Sequence, residues 1–244
     1  MKLRILFIIL ISSLFNYGVL ANLDTDSLLI ELKSSPLNKE KILLLNELSK
    51  KTSETNLDSS LYFAKSGLDL ANEIGYSLGI AENAASIADY YVIYDSLNKA
   101  KQFYILAGEH FEELNMQNDF SKILMVLGNI FLSQNNYSEA LMYYQKSQQI
   151  CEENNFISTL PNIYNNTGVV YSNLGENEKA LEYFLDAYKG FSALGLEENL
   201  AQSVSNIAGI YMDNSNDSLA ISYYSEALKI LQQTGNLIEA SYIY

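Results

Sequence analysis

The chain has one cysteine, one histidine, two prolines and no tryptophan in 244 residues, and 15 Lys and Arg against 29 Asp and Glu. Each shortage excludes something. Cys151 alone cannot close an internal disulfide, and a single histidine permits no His-x-x-x-His zinc pattern. A formal charge of −14 leaves too few clustered cations for a nucleic-acid backbone. The same charge disfavours an anionic membrane surface. Two prolines leave little to interrupt helices. No Gly-x-Gly-x-x-Gly segment or phosphate-binding loop occurs.

The start of the chain is a separate object. Lys2 and Arg4 make a short basic beginning, Ile5 to Leu14 is apolar apart from Ser12 and Ser13, and Val19-Leu20-Ala21 supplies small residues for cleavage. This pattern is that of a secretory signal peptide over 1–21, cut after Ala21. The apolar core is short for a membrane span. Cleavage removes Lys2 and Arg4 and no acidic residue, which moves the formal charge from −14 to −16. Export to the periplasm or medium is the expected localisation.

The rest of the chain repeats itself at a constant period. Ser60, Ala100, Ala140, Ala180 and Ala220 share one column. A second small column follows with Gly67, Ala107, Ser147, Ala187 and Ala227; a third precedes with Leu48, Ala88, Gly128, Gly168 and Ala208. Each unit reads as two helices, in the fourth Pro161 to Asn173 and about Glu178 to Leu194, with Leu174-Gly175-Glu176-Asn177 as the turn. Asp95, Asn135 and Ser215 match Gly175, and all tolerate turn geometry. The second helix ends at Gly75, Asn115, Asn155, Gly195 or Gly235, residues suited to the left-handed conformation past a helix C-terminus. Small residues on both helices allow a close crossing, so the pattern specifies antiparallel hairpins that bury their apolar faces on their neighbours.

These columns resemble the tetratricopeptide repeat family. Its small positions are matched in the fourth unit by Gly168, Ala180 and Ala187, and its aromatic positions by Tyr164, Tyr171 and Phe184. The first unit matches less well, with Glu47, Leu48 and Lys51 where small or aromatic residues belong. The length of the unit, as from Ala100 to Ala140, resembles the longer variety of kinesin light chains and bacterial peptide-binding regulators. The resemblance implies an all-α, right-handed solenoid over 41–240, divided 41–80, 81–120, 121–160, 161–200 and 201–240. Residues 22–40 supply a capping helix, Asp26 to Lys33, and a linker broken at Ser34-Ser35-Pro36. Residues 241–244 start a sixth repeat that stops at Tyr244. A solenoid normally closes with a helix polar on its outer face, so the expectation is a fragment of a longer protein or an end that docks elsewhere.

Catalytic constellations are absent from this reading. His110 falls in a column with Leu70, Ile150, Gly190 and Ile230, which makes it a packing residue. Cys151 shares its column with Ala71, Phe111, Phe191 and Leu231, which makes it a buried thiol. The acid pairs Glu112–Glu113, Glu152–Glu153 and Glu197–Glu198 fit solvated surfaces better than acid–base work. No catalytic residue, metal ligand or cofactor is expected, and a hydrolase on a helical scaffold lacks residues to carry it.

What remains is a stripe on the first helices opposite the packed face. Across units three to five it holds Lys122, Met125 and Asn129; Asn162, Asn165, Asn166, Val169 and Asn173; and Gln202, Ser205, Asn206 and Asp213. Carboxamides donate and accept at once, which suits a peptide backbone. The resemblance places a ligand-contacting Asn at Asn166 and Asn206; the alternative is that these side chains bridge adjacent repeats. Without the basic partners of a carboxylate clamp, capture of an acidic tail is not supported. The expected function is a non-enzymatic, exported scaffold for a protein or peptide segment, without nucleic-acid binding or membrane insertion. The alternative is the sensory ectodomain of a longer membrane-anchored histidine kinase or helix-turn-helix regulator.

Overall fold

The computed structural model describes residues 18–235, with side chains from residue 25 onward. The proposed leader therefore lies chiefly outside the described residues, and the start of a sixth repeat at 241–244 wholly so. Every regular element described is an α-helix, and the chain divides into two compact units, Met1–Met116 and Gln117–Tyr244. The first holds α1 (Gly18–Ser34), α2 (Lys39–Thr52), α3 (Leu57–Ile74), α4 (Ser77–Ile93) and α5 (Leu97–Glu113). The second holds α6 (Gln117–Ser133), α7 (Tyr137–Glu153), α8 (Leu160–Asn173), α9 (Asn177–Leu194), α10 (Glu197–Asp213) and α11 (Asp217–Thr234).

A single turn device sets the helix lengths. Residues 75, 95, 115, 135, 155, 175, 195, 215 and 235 all have φ between 53° and 76°. Four are glycine and four are Asp or Asn, the types that reach the left-handed region at least cost, and the remaining one is Ser215. The next N–H then bonds back to the carbonyl five residues earlier, as in Tyr76 to Ala71 (2.8 Å), Asn136 to Phe131 (2.9 Å) and Glu176 to Tyr171 (2.9 Å). This closure satisfies carbonyls that a helix end would otherwise leave open. Because it recurs at an even spacing, helices of similar length alternate with tight reversals.

The first hairpin departs from the rule. Thr55 stands where the left-handed residue belongs, and a β-branched side chain resists that conformation. Here α2 instead runs out through Ser53 at φ −60°, and Asn56 takes over as cap, its side chain accepting from Ser59 N at 2.9 Å. The helix before the repeats also differs from expectation. It begins at Gly18 rather than Asp26, since nothing between these residues breaks a helix, and it ends before Pro36 as anticipated. Leu28 on α1 packs with Leu44 and Leu48 on α2 and so covers the open face of the first pair.

The small columns sit where the hairpins cross. Ala88, Ala100 and Ala107, and Ala180, Ala187, Ala208 and Ala227, are fully buried. A Cβ on Gly128 would lie 2.5 Å from the Tyr144 ring, and one on Gly168 would lie 2.7 Å from Phe184. Next to these crossings each regular hairpin carries one stacked aromatic pair: Tyr91–Phe103, Phe131–Tyr143, Tyr171–Tyr183 and Tyr211–Tyr223, with ring centroids 5.3–5.8 Å apart. Six of the 19 tyrosines are thereby used in packing.

Candidate functional site

Within the second unit the first helices of the three pairs, α6, α8 and α10, carry the stripe read from the sequence. Lys122 is exposed and turned to Asp119 on its own helix, 3.6 Å away. Gln202 is also exposed. Met125 packs at the edge of the cluster around Tyr144 and Ile163, and Val169 at the edge of the cluster around Phe184 and Ile207. Asn162 and Ser205 are half-buried, and the Ser205 hydroxyl donates to its own helix at Ala201 O (2.9 Å).

The carboxamides, by contrast, are brought together. Asn206 donates to Asn165 Oδ1 at 3.0 Å, Asn165 to Asn166 Oδ1 at 3.5 Å, and Asn166 to Asn129 Oδ1 at 2.8 Å. Tyr144 completes the chain by donating to the same Asn129 oxygen at 2.7 Å. The ladder ties α10 to α8 and α8 to α6, helices far apart in sequence. Bridging between repeats is therefore one use of Asn166 and Asn206. Each carboxamide offers two donors and two acceptor lone pairs, so the half-buried Asn129, Asn166 and Asn206 keep capacity beyond these bonds.

A second pattern joins the residue after the crossing position of each first helix to an aromatic on the following helix. Asp89 accepts a short hydrogen bond from Tyr104, and Asn129 accepts from Tyr144. In the next hairpin both members are apolar, Val169 and Phe184, packed in one cluster. In the last, Gly209 faces Tyr224; a Cβ there would lie 3.8 Å from the phenol oxygen, which is ordinary contact. Burial pushes the Tyr104 and Tyr144 phenols far up, and at Tyr104 the Asp89 charge adds to this. Burial also raises Tyr224, and the Asp213 carboxylate adds to it. A phenol withdrawn from water is normally satisfied by a partner. At half-buried Tyr224 the partner side chain is missing, and an open cleft takes its place.

That cleft has a volume of about 320 Å³ and is lined by α8, α9, α10 and α11. Buried Phe184 and half-buried Val169 contribute apolar wall, while Asn173, Asn206, Asp213 and Tyr224 contribute polar groups. No Lys, Arg or His is among its lining residues. Five of the stripe residues, Val169, Asn173, Ser205, Asn206 and Asp213, reach it. Gly209 and Tyr224 escaped the sequence reading, although aligning them with Asp89–Tyr104 and Asn129–Tyr144 exposes them. The first unit has a larger, more apolar cleft of about 450 Å³ involving Leu32, Leu37, Lys41, Tyr62 and Glu73.

The other reactive groups sit apart from these clefts. Cys151 is fully buried, and burial raises its thiol pKa, which disfavours the thiolate. The His110 Nδ1 is buried without a hydrogen bond, 3.6 Å from Glu113. Among the described residues no group of His, Cys, Asp and Glu is placed to hold a metal ion, and no helix is long and apolar enough to cross a membrane.

Comparison with known proteins agrees with this architecture. Residues 119–193 match the family model described as tetratricopeptide repeat. No curated protein sequence matches the chain. Among solved structures, BtubC (BKLC) from P. vanneervenii superposes with a TM-score of 0.74 at 17% identity, over 89% of this chain and 90% of that one. The quorum sensor NprR from B. thuringiensis, in its apo form, gives 0.74 at 16% identity, over 91% of this chain and 62% of NprR. YrrB, described as a tetratricopeptide protein with an unusual peptide-binding site, gives 0.57 at 18% identity, over 89% and 98%. The described residues accordingly share the paired-helix fold of tetratricopeptide repeat proteins, and the repeat family itself is matched over residues 119–193.

Proposed function

We propose that this chain is an exported, non-enzymatic scaffold that binds an extended segment of peptide or protein along α6, α8 and α10. The observation that carries the reading is the carboxamide ladder running into the cleft beside Gly209, with unspent donors and acceptors along its length. A peptide backbone presents the complementary alternation of N–H and C=O. YrrB, similar in fold, is described as having a peptide-binding site. Export rests on Lys2, Arg4, the apolar run to Leu14 and the Val-Leu-Ala ending.

Binding is tested by passing a random library of N-acetylated decapeptides over the immobilised full chain. A retained subset is expected, and Ser205→Arg, which places bulk at the cleft, should abolish retention. Met142→Arg, on exposed α7, should leave it intact. No retention, or equal loss with both variants, contradicts the reading. Export is checked by the mass of the mature N-terminus, expected at Asn22; an intact Met1 would sink it.

A second reading is favoured by NprR, a described sensor of which this chain matches 62%. In it the repeats are the sensory part of a longer membrane-anchored histidine kinase or helix-turn-helix regulator. An antibody to the repeats decides between them on fractionated cells. A band somewhat below the 27.4 kDa of the uncleaved chain in the soluble exported fraction supports the free scaffold. A much larger band in the membrane fraction supports the sensor.

A further inference from the structure

We infer that the cleft beside Gly209 is an anchoring subsite for a basic side chain, Lys or Arg, of the bound peptide; this rests on the peptide-binding reading above. Four observations converge on it. The first is the register of the repeats. Where Tyr104 and Tyr144 donate to Asp89 and Asn129, Tyr224 faces Gly209 and makes no hydrogen bond among the described residues, so its oxygen is open to accept from a ligand's donor. Where the polar partner is lost in the α8–α9 hairpin, the hydroxyl is lost with it, as Phe184. The last hairpin keeps the hydroxyl and discards the partner.

The second observation is space. A Cβ on Gly128 or Gly168 would collide with the ring beneath it, so those glycines serve the helix crossing. At Gly209 the Cβ would meet only the Tyr224 oxygen, at 3.8 Å. The crossing here is made by Ala208, and the absent side chain at 209 opens the cleft instead. Its volume of about 320 Å³ accepts a long aliphatic stem with a polar head.

The third observation is the lining. Val169 and Phe184 offer apolar wall to a stem, and Asp213 stands at the exposed side with a carboxylate that makes no ion pair among the described residues. Asn173, Asn206 and the Tyr224 oxygen add acceptors, all groups that an ammonium or guanidinium can satisfy by donation. The fourth is charge. The cleft contains no cation, and the chain as a whole carries 29 acids against 15 bases, so a cationic side chain is drawn in and an anionic one repelled.

The test uses the peptides retained from the N-acetylated library, in which no free amino terminus can substitute for a side chain. Lys and Arg should be enriched at one position, and replacing that residue by norleucine should weaken binding to the full chain about tenfold. Gly209→Asn should rebuild the Asn129–Tyr144 arrangement at Tyr224 and fill the cleft. It should bind the selected peptide about tenfold more weakly, with a melting temperature higher by about 2–4 °C. This combination separates a blocked subsite from a damaged fold. Asp213→Asn, at an exposed position, is a second variant: it should erase the difference between the Lys and norleucine peptides. Retained peptides with no basic preference, or Gly209→Asn binding them as well as the parent, overturn the subsite and leave the peptide-binding reading in place. No retained peptide at all overturns both.

Discussion

The α6–α7 and α10–α11 hairpins have the same helix lengths to within one residue, the same turn device and the same stacked aromatic pair, yet they treat one phenol oppositely. In the first, Gly128 is pressed against the Tyr144 ring and the next residue, Asn129, receives its hydroxyl proton. In the second, Ala208 makes the crossing and the next residue is Gly209, so the Tyr224 oxygen looks into a cleft. The scaffold is held by residues that recur, and the candidate site lies where a recurring residue is exchanged for nothing. Single positions of a repeat are thus free to vary function as long as the crossing and turn columns are kept.

The largest expected effect comes from attacking a crossing. Gly168→Leu drives side-chain atoms into Phe184 and should cost about 1–3 kcal/mol or more, whereas Gly209→Ala should leave stability unchanged or slightly higher, about 0.5–1 kcal/mol. Thermal unfolding of the two variants compares them directly, and equal losses would mean that position 209 is a crossing like the others. Next in size is Asn129→Ala. It leaves the Tyr144 hydroxyl and an Asn166 donor without their acceptor, at a cost of about 1–3 kcal/mol. Smaller still is Tyr144→Phe, about 0.5–1.5 kcal/mol for one hydrogen bond. Tyr224→Phe, which removes no hydrogen bond in the protein, should change stability least of all. Denaturant titration of the two Tyr→Phe variants isolates the comparison, and equal losses would reveal a partner for Tyr224.

The fold was legible because its determinants are local. Each reversal is written by one residue able to adopt positive φ, and Asp95, Asn135, Gly175 and Ser215 identify themselves by type and spacing. The crossings are written by small residues, as at Gly168 and Ala180. Thr55 marks the one hairpin that uses another ending. The beginning of α1 was not legible, because a leader cleavage pattern and a helix both favour Val, Leu and Ala, and the structure has helix from Gly18.

The site was legible only in outline. Asn129, Asn165, Asn166 and Asn206 were visible as a stripe, but periodicity cannot say whether a carboxamide turns to solvent or to a neighbour on another helix. That depends on the separation of α6, α8 and α10, and the structure joins these side chains to one another. Gly209 and Tyr224 were missed for a different reason. Each looks ordinary in its own column, and their meaning arises only when Asp89–Tyr104, Asn129–Tyr144 and Val169–Phe184 are set beside them as pairs.

The chain's methionines give the most direct measurement of the central claim. Met212 lines the cleft on α10 and Met142 lies on α7; they are 51% and 55% exposed, so solvent contact does not distinguish them. With ¹³C-methyl-methionine in the full chain, titration of a retained peptide should shift the Met212 methyl resonance and leave Met142 in place. A shift at Met142 with Met212 unmoved would contradict the account.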